Sequence, residues 1–162
     1  MVEVYLLLGS NLGNRQLFLK QAAAIIEAKV GEIVKYSGVY ETKSWGKTDA
    51  PDYLNQVLFV NTLLEPITLL RELLKIELLL GRKREEKWGS RTMDIDVLFY
   101  ADQIINEPEL TVPHPQLHNR RFTLEPLVEL APSLIHPVLQ KTLKQLKDEL
   151  LDDLQVKKYI FE

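Results

Sequence analysis

The sequence predicts an α+β protein with a ferredoxin-like βαββαβ core, in which helices pack on an antiparallel sheet. Three observations support this prediction. Strand-like and helix-like segments follow one another in that order. Their apolar residues recur with the matching period of about 2 or about 3.6 residues. The 162 residues, 46% of them hydrophobic, suit a single domain spanning 1–162, with a helical and irregular C-terminal extension after the core.

The first strand and helix come from the N-terminal third of the chain. Residues 2–9 (VEVYLLLG) are apolar and strand-like, and GSNLGN is interpreted as a structural turn rather than a phosphate loop. A helix is predicted from Arg15 to Lys29, where apolar side chains recur at helical spacing. Gly31 stands where a C-terminal helix glycine is expected.

The second half of the core repeats this alternation. Residues 32–42 form the second predicted strand, and 44–52 a loop. In the next strand, 53–64, the alternation places Tyr53, Asn55, Val57 and Phe59 on one face, and Leu54, Leu58 and Val60 on the other. Pro66 begins a helix that runs to Gly81.

The remaining segments differ in character. Residues 81–91 (GRKREEKWGSR) are basic and lack apolar periodicity, so we expect an exposed, mobile loop that orders over bound nucleotide. It leads into the strand TMDIDVLFY. Beyond it lie the proline-containing segment 110–122, a short helix near 124–130 and an amphipathic helix from about 139 to 151. Helices on one face of the sheet would leave the other face free.

Composition and charge exclude several classes. The net charge of −3 argues against general nucleic-acid binding, which needs a broad basic face. The absence of cysteine excludes disulfides, thiolate metal sites and cysteine nucleophiles. The apolar N-terminal run is too short to span a membrane and lacks a basic leader. We therefore expect a cytoplasmic protein, monomeric by default, that binds neither membrane nor nucleic acid.

Two aspartates interrupt the strand that contains RTMDIDVLF. Alternation directs Met93, Ile95, Val97 and Phe99 to one face, with Asp94, Asp96 and Leu98 on the other. The two carboxylates would lie roughly 7 Å apart, two strand rises. A D-x-D pair can be a solvated strand face, but it can also bind one or two Mg²⁺ ions together with substrate phosphates.

The basic loop before this strand favours the metal interpretation. Arg82, Arg84, Lys87 and Arg91 would supply cations for a polyphosphate, which arginine binds in a bidentate manner. Metal and arginine together indicate phosphoryl transfer. His114, between prolines, is either structural or a phosphate or nucleotide contact, whereas His118 and His136 are interpreted as structural or surface residues.

An acceptor site can be sketched from the aromatic residues. By default Tyr53 packs in the core and Asn55 caps a turn. With Trp88 and Phe122 they could instead form an aromatic slot in which an amide contacts the edge of a flat heterocycle.

Four motifs occur in one order along the chain: GSNLG after the first strand, PDYLNQV (51–57), WGSRTMDIDV (88–97) and LTVPHPQLHNRRF (110–122). On these motifs the sequence closely resembles the 6-hydroxymethyl-7,8-dihydropterin pyrophosphokinase family, nearly from end to end. The resemblance implies a Mg²⁺-dependent transfer of diphosphate from ATP to the pterin hydroxymethyl group, with release of AMP, in folate biosynthesis.

The resemblance also implies roles for individual residues. Asp94 and Asp96 would bind two Mg²⁺ ions and, with Arg82 and Arg91, form the catalytic set. The implied pterin-binding residues are Thr42, Lys43, Trp45, Tyr53, Asn55, Trp88 and Phe122. The implied ATP-binding residues are Glu77, Arg82, Arg84, Trp88, Arg91, Val97, Thr111, His114 and Arg120.

Departures from the family pattern are local. The basic loop is about one residue shorter than is usual in the family, and unusual residues occupy five positions: Lys43, Trp45, Leu74, Glu109 and Pro115. Two alternatives remain open. One is a ferredoxin-like nucleic-acid-binding module, which would need an aromatic and basic sheet face. The other is a metal-dependent nucleotidyl or phosphoryl transferase with a different acceptor.

Overall fold

A computed structural model of the chain describes residues 1–43, 52–81, 93–152 and 154–159. Its strands are β1 (Val2–Ser10), β2 (Gly31–Tyr36), β3 (Tyr40–Thr42), β4 (Tyr53–Thr62), β5 (Asp94–Tyr100), β6 (Ile105–Asn106), β7 (Thr111–Val112) and β8 (Val156–Lys158). Its helices are α1 (Arg15–Lys29), α2 (Pro66–Leu79), α3 (Arg121–Leu130) and α4 (Leu143–Asp148), with a 3₁₀ turn at Leu117–Asn119.

One antiparallel sheet organises the core. Its strands run in the order β5-β1-β4-β3-β8, and β2 pairs with β4 alongside β3. Every pairing in this sheet is antiparallel. The predicted antiparallel sheet with packed helices is therefore confirmed, although the predicted strand 32–42 is divided into β2 and β3.

The first face of the sheet is covered by α1 and α2. Buried residues of both helices, including Ile26 and Leu73, pack against β1, β4 and β5. Leu54, Leu58 and Val60 of β4 belong to this cluster, as the alternation predicted. At the end of α2, Gly81 has φ +94°, a left-handed conformation that glycine adopts without strain.

Gly31 has a different role from the one predicted. It begins β2, and the C-cap of α1 is Val30. A Cβ atom on Gly31 would lie 2.0 Å from the carbonyl oxygen of Asn61 on β4. Glycine is required here because two strands approach closely, not because the helix ends in a left-handed turn.

The second face is not free, contrary to expectation. The C-terminal helices α3 and α4 cover the part of this face that carries Tyr5 and Phe99. Leu124, Leu127 and Leu143 pack there in one apolar cluster with them. His136 is buried there, and its Nδ1 accepts hydrogen bonds from the backbone N–H groups of Val138 and Leu139. The interpretation of His136 as a structural residue is confirmed.

A bulge in β5 overturns one predicted orientation. Tyr5 of β1 pairs with Phe99 and Leu6 pairs with Val97, so Leu98 is an extra residue in the ladder. Phe99 therefore faces the second cluster with Leu98, rather than the first cluster with Val97. Alternation fails at this point because a bulge shifts every later side chain by one face.

The C-terminal amphipathic helix is shorter than predicted. Helix α4 spans only Leu143–Asp148, and it starts at a capping box in which Thr142 and Gln145 bond each other's backbone N–H groups. Among the described ranges, no helix combines the length and the apolar character needed to cross a membrane.

Candidate active site

The end of the second face at which β5 begins brings together residues from three strands. Gly9 of β1 pairs with Asp94 of β5 on one side and with Asn55 of β4 on the other. Directly opposed residues of antiparallel strands share a face, so Asp94, Gly9 and Asn55 form a row across the sheet. Because Gly9 has no side chain, the carboxylate and the amide flank an open strip of backbone.

The two aspartates of β5 lie on this face, as predicted. Both are half-buried, while Ile95 between them is buried against the helices of the first face. Asp96 pairs with Leu7 in the next row. The side chains of Asp94 and Asp96 therefore share one face of a single rigid strand.

The donor set at these aspartates fits Mg²⁺. Carboxylate oxygens are hard ligands, and Mg²⁺ is typically held by one or two of them together with water and substrate phosphates. Within the described part of the chain, no group of three or more His, Asp or Glu is placed to hold a metal ion. Such a two-carboxylate site suits a metal that arrives with a polyphosphate.

Glu77 fixes the strand that carries the aspartates. It is 3% exposed, and its Oε2 accepts a hydrogen bond of 2.7 Å from the backbone N–H of Ile95. Among the described residues β5 is a terminal strand of the sheet, so this carboxylate takes the place of a neighbouring strand. Glu77 thus connects α2 directly to the backbone between Asp94 and Asp96.

Polar groups that could bind a heterocycle lie where β3 ends and β4 begins. Thr42 pairs with Tyr53 at the end of their ladder, next to Asn55. The Thr42 side chain is buried, and its Oγ1 has no hydrogen-bond partner among the described residues. Among the residues that the structure describes, the Asn55 Nδ2 donates a single long bond, of 3.3 Å, to the carbonyl of Leu8. Both groups have capacity left for a ligand.

Phe122 lies at the start of α3, a helix that packs against β3 and β4. It is half-buried against the second cluster, and the Arg120 guanidinium lies 5.6 Å from the centre of its ring. The other end of α3 is held by Glu129, whose carboxylate accepts hydrogen bonds from the Tyr40 hydroxyl and the Gly38 N–H. Burial would raise the pKa of Glu129, but these bonds and Lys158 lower it overall, so Glu129 is ionised.

His114 lies beside β5 and is neutral. Its N–H donates to the carbonyl oxygen of Leu98, and its Nδ1 accepts from the N–H of Gln116. Burial, followed by the positive charge of Arg120, lowers the pKa of His114 to about 4. With Nδ1 accepting, the proton is on Nε2, so His114 can offer one neutral hydrogen-bond donor to a ligand.

The structure places the remaining predicted residues less favourably or leaves them outside its description. Val97 is buried against the helices, so its side chain faces away from the carboxylates. Lys43 and Thr111 are exposed. Five predicted residues lie outside the described residues, and their roles stay predictions: Trp45, Arg82, Arg84, Trp88 and Arg91.

Sequence reasoning missed two residues of this region. Gly9 lies between the Asp94 carboxylate and the Asn55 amide. A glycine inside a strand often marks a close approach of a ligand, so its presence could have indicated this site. Arg15 contacts residues beside Thr42 and Tyr53, but its partners are 26 and 37 positions away along the chain. No local pattern indicates a contact over that separation.

The sequence is also similar to that of known proteins. Residues 5–132 match the family model for 7,8-dihydro-6-hydroxymethylpterin-pyrophosphokinase (HPPK). The chain is 45% identical over 149 residues to the 2-amino-4-hydroxy-6-hydroxymethyldihydropteridine pyrophosphokinase of Aquifex aeolicus, covering 92% of each chain. It is 40% identical over 152 residues to the enzyme of that name from Haemophilus influenzae, covering 91% of this chain and 95% of the relative.

Solved structures share the fold. The chain superposes on wild-type HPPK-DHPS of Plasmodium falciparum, crystallised with SDX-DHP, with a TM-score of 0.73 and 20% identity. The match covers 92% of this chain but only 43% of the Plasmodium chain, so the chain spans less than half the length of that bifunctional protein.

Proposed function

Since the chain belongs to the 7,8-dihydro-6-hydroxymethylpterin-pyrophosphokinase family, we propose that it transfers diphosphate from ATP to the hydroxymethyl group of 6-hydroxymethyl-7,8-dihydropterin and releases AMP. The reaction would supply activated pterin for folate biosynthesis. The names of the Aquifex and Haemophilus relatives support this substrate and this transfer.

The row Asp94, Gly9 and Asn55 carries the proposal. It joins a pair of carboxylates suited to metal-bound phosphates with an amide suited to a heterocycle, across the width of only three strands. An acceptor bound beside Asn55 and phosphates bound at Asp94 would be neighbours. Positioning of this kind is a large part of catalysis in phosphoryl transfer.

At the acceptor side, the residues would bind a flat ring and fix its orientation. Tyr53 and Phe122 would lie against its two faces, and Asn55 and Thr42 would bond its polar edge. The apolar slot excludes water, and the two polar groups set the direction of the hydroxymethyl arm. Attack by its hydroxyl on the β-phosphorus then displaces AMP in line.

At the phosphate side, Asp94 and Asp96 would hold two Mg²⁺ ions. Mg²⁺ in such a site neutralises phosphate charge and orients the polyphosphate. Neutral His114 would donate from Nε2 to the nucleotide, and Arg120 would add positive charge. Glu77 would act by fixing the backbone between the two aspartates, which its bond to Ile95 supports.

We also propose that the core is ferredoxin-like and that the chain is one domain acting as a monomer. The order β5-β1-β4 with β2 beside β4 supports the first part of this proposal. Arg82, Arg84, Trp88 and Arg91 keep their predicted roles in charge neutralisation and closure over the nucleotide, and Trp45 its predicted pterin contact.

A direct assay tests the proposed function. The protein is incubated with ATP, Mg²⁺ and 6-hydroxymethyl-7,8-dihydropterin, and the nucleotide products are separated. We expect AMP in a 1:1 ratio to pterin diphosphate, dependent on the pterin and abolished by EDTA. Formation of ADP would reject diphosphate transfer, and turnover with an unrelated alcohol in place of the pterin would reject the proposed acceptor.

A further inference from the structure

Arg15, the first residue of α1, joins the ends of two strands. Its Nη1 donates to Oε2 of Glu41 at 2.9 Å and to the backbone oxygen of Asp52 at 2.7 Å. Glu41 immediately precedes Thr42, and Asp52 immediately precedes Tyr53. One nitrogen therefore connects the neighbours of two acceptor-site residues.

We propose that Arg15 is a positioning residue for the acceptor site, acting through Thr42 and Tyr53. This inference rests on the function proposed above. The relevant strand is short: β3 contributes three residue pairs to its ladder with β4, and the pair Thr42–Tyr53 is the last of them. Ladder ends open readily unless other contacts hold them. Arg15 provides such a contact at the position where the acceptor ring would bind.

The C-terminal strand holds Arg15 in place. The Arg15 guanidinium lies 5.8 Å from the centre of the Tyr159 ring, and Gln16 Nε2 donates to the Tyr159 hydroxyl at 2.8 Å. Tyr159 follows β8, which pairs with β3, and its N–H bonds the carbonyl of Val39. β3 is thus flanked by β4 and β8, and Arg15 contacts residues that belong to or adjoin all three strands: Glu41, Asp52 and Tyr159.

Some of the residues that contact Arg15 lie outside the segment that the family model matches. The family match ends at residue 132, whereas β8 and Tyr159 lie beyond it. The ion pair is also well placed to matter, because the Arg15 and Glu41 side chains are only 22% and 33% exposed. Partial burial weakens solvent screening, so this pair contributes more than a fully exposed pair does.

Loss of Arg15 should affect the binding of the two substrates differently. Thr42 Oγ1 is buried without a partner among the described residues, so a displacement of the end of β3 costs the bond it would make to the acceptor. The proposed phosphate ligands lie on β5, on the far side of β1 and β4. Loss of Arg15 should therefore weaken pterin binding and leave ATP binding unchanged.

The test compares Arg15→Met, Arg15→Lys and the parent protein. Methionine keeps an apolar stem without donors, whereas a lysine ammonium offers several donors on one nitrogen, as Nη1 does. We expect Arg15→Met to raise the pterin KM roughly tenfold, equivalent to about 1.4 kcal/mol, with the ATP KM changed less than about twofold. Arg15→Lys should recover most of the pterin affinity.

Lys141→Met is the matched control. It breaks an ion pair of similar length, Lys141 to Glu149 at 2.7 Å, which joins the two ends of α4. We expect both KM values to stay at the parent level. If Arg15→Met fails to fold, as judged by circular dichroism, Glu41→Gln replaces it, because it removes one partner and leaves the contact with Asp52. Its pterin KM should rise roughly threefold.

The outcomes separate the two proposals. A parent protein that forms no AMP overturns the proposed function and this inference with it. An active parent overturns the inference alone if the pterin KM of Arg15→Met is unchanged. The same conclusion follows if the pterin and ATP KM values rise together, or if the Lys variant is as impaired as the Met variant.

Discussion

The two faces of the sheet use the same strands in different ways. On the first face, apolar side chains continue along β1 from Val2 to Leu8, and Val4, Leu6 and Leu8 are buried under α1 and α2. On the second face, apolar residues such as Tyr5, Val57 and Phe99 lie under α3 and α4, and polar residues lie at the end that carries Asp94 and Asn55. The apolar residues that stabilise the fold and the residues of the candidate site thus lie on different faces of the sheet, or on different parts of the same face.

This difference explains how aspartates occur in the middle of a strand. A strand tolerates them because only one face at one end is polar, while Ile95 between them remains in the core. Two half-buried like charges repel, but a bound cation would reverse that repulsion. Substitutions on either face should therefore have distinct effects on activity and on stability.

The largest expected effect is a loss of activity on substitution of Asp96, in contrast to substitution of the adjacent Ile95. Asp96→Ala should lower AMP formation by roughly a hundredfold or more, because it removes half of the proposed metal site. The free energy of unfolding should change by less than about 1 kcal/mol, because the half-buried Asp96 side chain belongs to neither apolar cluster. Steady-state AMP production and urea unfolding measure the two quantities.

Ile95→Val is the matched control for this prediction. Ile95 is 5% exposed on the first face, and loss of one methyl group should cost about 1 kcal/mol of stability while turnover is retained. The separation of the two faces would be contradicted if Asp96→Ala kept near-parental turnover, or if Ile95→Val were as inactive as the aspartate variant.

The second prediction concerns glycines of the two regions. A Cβ atom on Gly9 would lie 2.7 Å from Nδ2 of Asn55. An amide at the end of a side chain can move, so Gly9→Ala should cost less than about 1 kcal/mol of stability. The displaced amide should raise the pterin KM roughly fivefold, as steady-state kinetics would show.

Gly31→Ala provides the contrast, because its Cβ atom would meet the backbone oxygen of Asn61 at 2.0 Å. Backbone cannot move aside without separating β2 from β4, so the unfolding free energy should fall by about 3 kcal/mol. The pterin KM of the folded variant should match the parent. If both alanine variants lost stability equally, with unchanged KM values, the assigned role of Gly9 would be wrong.

Much of this organisation could be predicted from local pattern, because period-2 alternation determines strand faces. It correctly assigned Val57 and Phe59 to one face of β4 and Leu58 to the other. It failed at Phe99, because the extra residue at Leu98 leaves no signal in composition. A bulge is defined by pairing with a neighbouring strand, which sequence pattern alone does not reveal.

Contacts between residues far apart along the chain were the other source of wrong or missing predictions. The covering of the second face by α3 and α4 required knowing where the C-terminal segment returns, and β8 is only three residues long. The carboxylates of the candidate site were predictable because they stand out within a strand. Arg15 was not, because an arginine at the start of a helix is an ordinary surface residue until its partners are known.

The smallest expected effect concerns the pH dependence of stability near the second face. The pKa of His114 is lowered from 6.5 to about 4 by burial and by Arg120, and burial also lowers the pKa of His136. Between pH 6.5 and about 4 the unfolded chain binds more protons than the folded chain, so stability rises with pH in that window. The contribution is complete above pH 6.5 and is lost as the pH falls towards 4.

Urea unfolding at about pH 7.5 and about pH 5 measures this contribution, which we expect to be about 1 kcal/mol for His114 after allowance for solvent screening. His114→Gln cannot take up a proton, so the difference in unfolding free energy between the two pH values should shrink by that amount. The part due to His136 should remain, because its environment of Phe99 and His118 is unchanged. An identical pH dependence in parent and variant would mean that His114 titrates normally in the folded chain, and would remove the argument for a neutral donor at the nucleotide side of the site.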